Sequence, residues 1–164
     1  MSTSTALAEQ APPGPTMLPG SRRVPRVLLA TDLGPASAAA TDAAIELARD
    51  LRGSLLVVSV LEPGRGTPFG ARIDQIRERR ERGARDIADR ARAAGVAAAF
   101  LVWQGEPGPS VVAAAEAEGA DFIILGSNQR PRVTRLLLGS TSDHVLRSAP
   151  CPVLIVRPDE VPED

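Results

Sequence analysis

The stretch at residues 121–157 constrains the fold more than any other part of this chain. Residues 122–125 form a short apolar run with β-branched side chains, which predicts a buried strand that ends at Gly126. Gly139 stands directly before three hydroxyl residues, which are expected to cap a helix that runs to about Arg147. A strand, a glycine loop and a helix N-terminus in this order predict a backbone geometry that can hold an anion.

The alternation of apolar runs and amphipathic segments extends over the rest of the chain. Strands are predicted at residues 26–31, 54–61, 97–104 and 153–156 as well. No hairpin signal interrupts the order of strand and helix, so each strand–helix–strand unit predicts a right-handed crossover between parallel strands. The expected fold class is α/β, a three-layer doubly wound sandwich with a five-stranded parallel sheet.

Three further helices are predicted from the spacing of apolar residues by three and four. The first covers residues 36–51, with Ser37 as its candidate cap and Gly53 as its end. The second covers residues 72–94, and Arg80 interrupts its apolar stripe; the guanidinium is expected to reach water. The third covers residues 111–118, with Ser110 as its candidate cap.

Composition excludes several classes of function. Aromatic residues make up 2% of the 164 residues against 43% hydrophobic residues in total, so the core is expected to be aliphatic. The single cysteine, Cys151, excludes an internal disulfide, and the single histidine, His144, leaves no His and Cys cluster for a metal. A net charge of -1 gives no general attraction to nucleic acid or to an anionic membrane, and no apolar run approaches a membrane span.

One domain is expected, at residues 26–158. Residues 1–25 are rich in Ser, Thr, Ala, Pro and Gly without apolar periodicity, and are expected to form a disordered leader. Residues 159–164 are expected to form a short acidic tail. The N-terminus has no basic segment followed by an apolar one, so a cytoplasmic location is the default expectation.

The C-terminal stretch resembles the signature of the universal stress protein family. In the family's nucleotide-binding members the strand is followed by Gly, two residues, Gly, nine residues, and then Gly with Ser or Thr. Those positions are Gly126, Gln129, Gly139 and Ser140 here, so the spacing is intact and a glutamine replaces the second glycine. The resemblance covers residues 26–157 and implies a Rossmann-like sheet in the order 3-2-1-4-5, as in the adenine nucleotide alpha hydrolase-like folds.

The resemblance implies binding of adenine nucleotide, with ATP as the cofactor and Mg²⁺ accompanying it. The family's acidic residue after the first strand contacts adenosine and matches Asp32, and a valine beside the adenine matches Val60. A glycine at position 129 would let a phosphate approach the backbone, so Gln129 predicts weakened or altered phosphate binding. The candidate binding residues are Asp32, Val60, Gly126, Ser127, Gln129, Arg130, Gly139, Ser140, Thr141 and Ser142.

Several of these positions also have a purely structural interpretation. Asp32 could bond to amides within its own turn, as the sequence TDLGP permits. The hydroxyls at residues 140–142 could serve only as helix caps, and Arg130 could lie in a solvated loop. Both interpretations stay open at the level of the sequence.

The last strand lies at a sheet edge in the implied order, and an apolar edge invites pairing with another strand. Members of the family commonly pair there with a two-fold mate. The resemblance therefore implies a homodimer through Val153, Leu154, Ile155 and Val156.

The sequence favours a binding protein over an enzyme. The chain has no lysine, and its glycines do not form the GxxxxGK[ST] phosphate loop of a nucleotide hydrolase. The expected function is a cytoplasmic, nucleotide-binding sensor or regulator in the stress response. The alternative is a dimeric interaction module of the same fold without nucleotide; an enzyme ranks last, because TDLGPAS after the first strand contains neither His nor Lys.

Overall fold

The computed structural model describes residues 23–62, 71–127 and 139–158. Within these ranges five strands alternate with four α-helices, and a short 3-10 turn, Pro35–Ser37, precedes the first helix. None of these helices is long and apolar enough to cross a membrane. The strands are β1 (Arg26–Ala30), β2 (Ser54–Leu61), β3 (Ala97–Gln104), β4 (Phe122–Gly126) and β5 (Val153–Val156), and the helices are α1 (Ala38–Asp50), α2 (Ala71–Ala93), α3 (Pro107–Glu118) and α4 (Ser140–Ser148).

The sheet is parallel throughout and has the order β3-β2-β1-β4-β5. This confirms the fold class and the strand order. The central strand is β1, in which Leu29 is in register with Val57 of β2 and with Ile124 of β4. The chain moves outward from β1 to β3 and then returns to β4 on the other side, so the strand order reverses between β1 and β4. Such a reversal leaves a crevice beyond the carboxyl ends of the two strands.

The core has two layers, one on each face of the sheet. Because successive strand side chains point to opposite faces, Leu29 and Val57 pack on the side of α1 and α2, while Leu28 and Val58 pack on the side of α3 and α4. The helices meet the sheet through small residues, which lets an aliphatic core close tightly without aromatic side chains. The fully buried helix alanines are Ala44, Ala48, Ala84, Ala88, Ala91 and Ala114.

The residues just before β1 are tied to the turn between α3 and β4. Arg23 donates to the carboxylate of Asp121 and, at 2.7 Å, to the carbonyl oxygen of Gly119. The amide of Arg26 donates to the other carboxylate oxygen of Asp121 at 2.7 Å. The described structure therefore begins ahead of β1. The expected leader as far as residue 22, and the expected tail from residue 159, lie outside the described residues.

Helix starts differ most from the sequence-based expectation. α3 begins at Pro107 with Glu106 before it, because a proline at the first helical position lacks the N–H that would have no partner there. Ser110, the expected cap, therefore lies inside α3 and is buried. β1 ends at Ala30, one residue earlier than expected.

The end of α1 is a Schellman turn in which an arginine occupies the left-handed position. The amide of Arg52 donates to the carbonyl oxygen of Arg49, and the amide of Gly53 donates to that of Ala48. Arg52 has a φ of 51°, whereas Gly53, which was expected to end the helix, is not left-handed. A Cβ at position 53 would clash with the carbonyl oxygen of Pro25. Gly53 is therefore required by the close approach of the chain before β1.

Substitutions at these adjacent positions are expected to change stability in opposite directions. Arg52→Gly should raise the free energy of unfolding by about 0.5–1 kcal/mol, because glycine relieves the left-handed strain. Gly53→Ala should lower it by about 1–3 kcal/mol, because the methyl group must displace the backbone at Pro25. Equilibrium urea unfolding measures both, and a Gly53→Ala variant as stable as wild type would contradict this account of the turn.

Candidate functional site

A cleft of about 560 Å³ lies over the carboxyl ends of β1, β2 and β4, where the strand order reverses. The cleft brings together the eight candidate residues that the structure describes, and the other two, Gln129 and Arg130, lie outside the described residues. The eight are Asp32, Val60, Gly126, Ser127, Gly139, Ser140, Thr141 and Ser142. Residues far apart in the sequence thus meet in one place, as the switch-point argument requires.

The two ends of the cleft differ in polarity. On the side of β2, the wall has apolar surface from Val58, Val60 and Leu61, with Ile76 contributed by α2. The charged residues Glu62 and Arg80 line this side as well. On the side of β4, the lining consists of glycines and hydroxyl residues at the start of α4 and after β4. A ligand with a flat apolar part and an anionic part matches this division.

Asp32 is held by one carboxylate oxygen and presents the other. Its Oδ1 accepts a hydrogen bond from the amide of Gly34 at 2.8 Å and from the hydroxyl of Ser37 at 2.6 Å. The hydroxyl of Ser37 was expected from the sequence to cap α1. It donates to Asp32 instead, which fixes the rotamer of that carboxylate. Within the described residues Oδ2 has no partner, so the turn interpretation of Asp32 accounts for only half of the carboxylate.

The loop that carries Asp32 is braced against α2. Leu33 adopts a φ of 65°, and its amide donates to the hydroxyl oxygen of Thr31 at 3.0 Å. The Leu33 side chain packs over Gly83 of α2, where an added Cβ would lie 3.0 Å from a leucine methyl group. A left-handed leucine is unfavourable by about 1–2 kcal/mol, so the packing on Gly83 keeps the loop in this conformation.

Ser127 follows β4 and carries an unsatisfied hydroxyl group. Its amide donates to the carbonyl oxygen of Val156 at 2.8 Å, which extends the ladder between β4 and β5. The backbone amide of Ser127 is thus paired within the sheet and is not available to a ligand. The Oγ atom of Ser127 is buried and has no hydrogen-bond partner among the described residues. A buried hydroxyl without a partner costs roughly 1–3 kcal/mol, so a ligand that supplies one would recover that free energy.

The start of α4 leaves both amides and hydroxyls available. Gly139 is the N-cap residue with φ -60° and ψ 159°, and no side chain among the described residues caps the helix. The first intrahelical bond runs from the amide of Asp143 to the carbonyl oxygen of Gly139 at 3.0 Å. The amides of the preceding residues therefore lack a helical acceptor, and the expected capping by their hydroxyls does not occur. These groups, Ser140, Thr141 and Ser142, line the cleft instead.

The two glycines of the motif are not required by the backbone or by packing among the described residues. Neither Gly126 nor Gly139 has a positive φ, so a left-handed backbone conformation is not what selects glycine at either position. An added Cβ at Gly126 would lie 3.5 Å from the carbonyl oxygen of Ala36, an ordinary contact, and one at Gly139 would meet no described atom within 4 Å. Among the described residues the missing side chain therefore leaves open space at Gly139 but not at Gly126, and such space is what an anionic group approaching the backbone needs.

The sequence analysis missed Arg80 as a residue of the cleft. Arg80 was expected to direct its guanidinium to water, but its Nη1 donates to the hydroxyl oxygen of Ser59 at 2.9 Å, and the side chain lines the cleft. Ser59 is fully buried in β2. The signal was present as an arginine in an apolar helix stripe opposite a serine in an apolar strand.

The histidine and the cysteine of this chain, His144 and Cys151, lie outside the cleft. His144 of α4 is half-buried. It packs so close to Gly108 that a Cβ added at Gly108 would lie 2.8 Å from the Cβ of His144. Burial, with a smaller contribution from the carboxylate of Asp121, raises the pKa of the Cys151 thiol, which disfavours the reactive thiolate. In the described part of the chain, no group of three or more His, Cys, Asp or Glu side chains could hold a metal ion.

Comparison with known proteins gives one consistent result. The model of the universal stress protein family matches residues 24–157. Universal stress protein YxiE of Bacillus subtilis is 31% identical over 148 residues, which cover 80% of this chain and 98% of YxiE.

Solved structures agree with this comparison. A universal stress protein from Burkholderia pseudomallei superposes with a TM-score of 0.67 at 28% identity, covering 81% of this chain and 96% of its own. A universal stress protein solved in complex with cAMP superposes with a TM-score of 0.61 at 27% identity and the same coverage. The family match spans both strands of the switch point and every described residue of the candidate site. The chain belongs to the universal stress protein family.

Proposed function

We propose that this protein binds an adenine nucleotide in the cleft between β1 and β4 and acts as a sensor or regulator in the stress response. The observation that carries the proposal is the buried hydroxyl of Ser127, which has no described partner and lines the same cleft as the first turn of α4. The family member solved with cAMP supports an adenine nucleotide as the ligand.

The start of α4 would hold the phosphate end of the nucleotide. Amides without an acceptor and the positive end of the helix dipole attract an anion, and the hydroxyls of Ser127 and Ser142 add neutral donors. Binding of the phosphate at the start of α4 would therefore require no cation among the described residues. The open space that the described residues leave beside Gly139 would let a phosphate oxygen approach the backbone.

The β2 side of the cleft would hold the nucleoside. Val58, Val60 and Ile76 offer apolar surface for the base. Oδ2 of Asp32 is fixed in position through the bonds to Oδ1, and it can accept hydrogen bonds from ribose or base donors. The carboxylate would be pre-oriented, so little side-chain entropy is lost on binding.

Gln129 and Arg130 would adjust how many phosphates the site accepts. A Cβ at position 129 crowds the phosphates rather than the adenosine, so ATP is proposed to bind more weakly than in family members with the full glycine motif. Arg130 would offset part of the phosphate charge. Mg²⁺ would accompany the nucleotide through its phosphates.

The proposal is of a binding protein in the cytoplasm, not of an enzyme. The described lining of the cleft contains neither His nor Cys, the side chains that most often serve as base and nucleophile near neutral pH. A dimeric interaction module without nucleotide is the competing function, and titration with nucleotide separates the two.

We also propose a homodimer through β5. This strand is an outer strand of the sheet, and Leu154 is 46% exposed. The opposite outer strand is partly occupied, because Arg92 donates from two nitrogens to the carbonyl oxygen of Ala98 in β3. No described side chain bonds to the backbone of β5 in this way, so β5 is the edge that favours pairing.

Removing the Ser127 hydroxyl is expected to weaken nucleotide binding while leaving the protein equally or more stable. Ser127→Ala should raise the Kd for ATP and for AMP about tenfold, because one hydrogen bond to a charged group is lost. The free energy of unfolding without ligand should stay constant or rise by up to about 1 kcal/mol, since an unsatisfied buried hydroxyl is removed. Isothermal titration and urea unfolding measure the two quantities.

Ser148→Ala is the matched control, because Ser148 is exposed at the far end of α4. It should change neither quantity. Unchanged affinity of Ser127→Ala would remove Ser127 from the site, and no binding of any adenine nucleotide by folded wild type would favour the interaction module.

A charge at position 154 is expected to dissociate the proposed dimer. Leu154→Glu places a carboxylate on each side of the two-fold axis in an interface that excludes water, which is strongly unfavourable. Trp103→Glu, on the exposed part of the opposite outer strand, is the control and should leave the dimer intact. Sedimentation velocity gives the mass of each variant, and the reverse pattern would assign the interface to β3.

A further inference from the structure

Arg80 is a cation in the wall of the cleft whose described interactions do not include a carboxylate. Other arginines, among them Arg26 and Arg90, form ion pairs with carboxylates at the surface. Arg80 instead donates to the neutral hydroxyl of Ser59, and within the described residues it forms no ion pair. Four of its five N–H donors are left for another partner.

The surroundings of Arg80 make an anionic partner favourable. The side chain is half-buried and shares its wall of the cleft with Ile76 and Val60. Charges in such partly dry positions interact more strongly than at an exposed surface, and a guanidinium suits the oxygens of a phosphate in particular. Ser59 accepts from the guanidinium itself and is fully buried, so it fixes where the guanidinium stands.

Arg80 and the start of α4 lie at opposite ends of the cleft. Arg80 is bonded to β2, and the proposed phosphate end adjoins β4, with β1 between the two strands. Two strand spacings separate them by about 10 Å across the sheet. A gap of this size can hold a ribose that carries a phosphate on each side.

We propose that Arg80 is a second anion-binding residue of the cleft, positioned by Ser59. It selects adenine nucleotides that carry, besides the 5′-phosphate, a phosphate on the 2′- or 3′-oxygen of the ribose. This inference rests on the proposed function, because it needs the nucleoside to lie between Arg80 and α4.

The test compares three ligands at one ionic strength by isothermal titration: AMP, adenosine 3′,5′-bisphosphate and adenosine 2′,5′-bisphosphate. In wild type, one of the two bisphosphates should bind about tenfold more tightly than AMP, the gain of a charge-assisted hydrogen bond. Arg80→Gln should abolish this advantage and leave the affinity for AMP within about threefold of wild type. Which isomer gains affinity shows which ribose oxygen faces Arg80.

Three further variants separate binding from effects of charge or folding. Arg77→Gln removes the same charge from the same helix, but Arg77 donates to Gln104 outside the cleft, so the advantage of the bisphosphate should persist. Arg80→Lys keeps the charge and should retain part of the advantage. Ser59→Ala removes only the hydrogen bond that holds the guanidinium in place. It should reduce the ratio of the affinity for the bisphosphate to the affinity for AMP, and a purely structural loss would leave that ratio unchanged.

The possible results either support or overturn the inference. A bisphosphate that gains affinity in wild type and loses the gain in Arg80→Gln supports it. Bisphosphates that bind no more tightly than AMP, or an advantage that survives Arg80→Gln, overturn it while AMP binding still supports the proposed function. Absence of binding of all three ligands to folded wild type overturns both.

Discussion

The position of β1 between β2 and β4 is the constraint on which the rest of the structure depends. Its central residues are fully buried because both edges are paired and both faces are covered by helices. Since the chain leaves this strand in one direction and returns on the other side, the loops after β1 and β4 must diverge. The cleft is therefore a consequence of the strand order, and it is lined by Asp32, two residues after β1, and by Gly126, which ends β4.

Secondary-structure elements with strong local signals could be predicted from the sequence. Hydrogen-bond partners could not be predicted where a side chain has more than one possible partner. Apolar runs located every described strand within a residue. The hydroxyl residues at 37, 110 and 140–142 resembled caps, but a hydroxyl bonds to whichever acceptor the tertiary fold supplies, and Ser37 bonds to Asp32 instead. The direction of Arg80 depends on Ser59, 21 residues away in the chain, which no helical periodicity can reveal.

The cleft concentrates groups that are poorly satisfied in the protein alone. Ser127 has a buried hydroxyl without a described partner, α4 begins without a side-chain cap, and Arg80 meets only a neutral oxygen. Each of these groups makes the folded protein less stable than it would be if the same group had a hydrogen-bond or ion-pair partner within the protein. A nucleotide that satisfies these groups would stabilise the folded state in proportion to the logarithm of its concentration over Kd, which gives the fold a simple way to sense ligand.

The most direct test of the account is to map the backbone amide chemical shifts of the ¹⁵N-labelled protein during titration with AMP. The account predicts that the largest changes fall on the amides of Ser140, Thr141 and Ser142, with further changes at Asp32 and Val60. The chemical shifts of the amides at the start of β3 and at the end of α2, at the end of the sheet opposite the cleft, should stay unchanged. Changes confined to other surfaces, or a saturating titration that leaves the first turn of α4 unaffected, would contradict the assignment of this cleft as the nucleotide site.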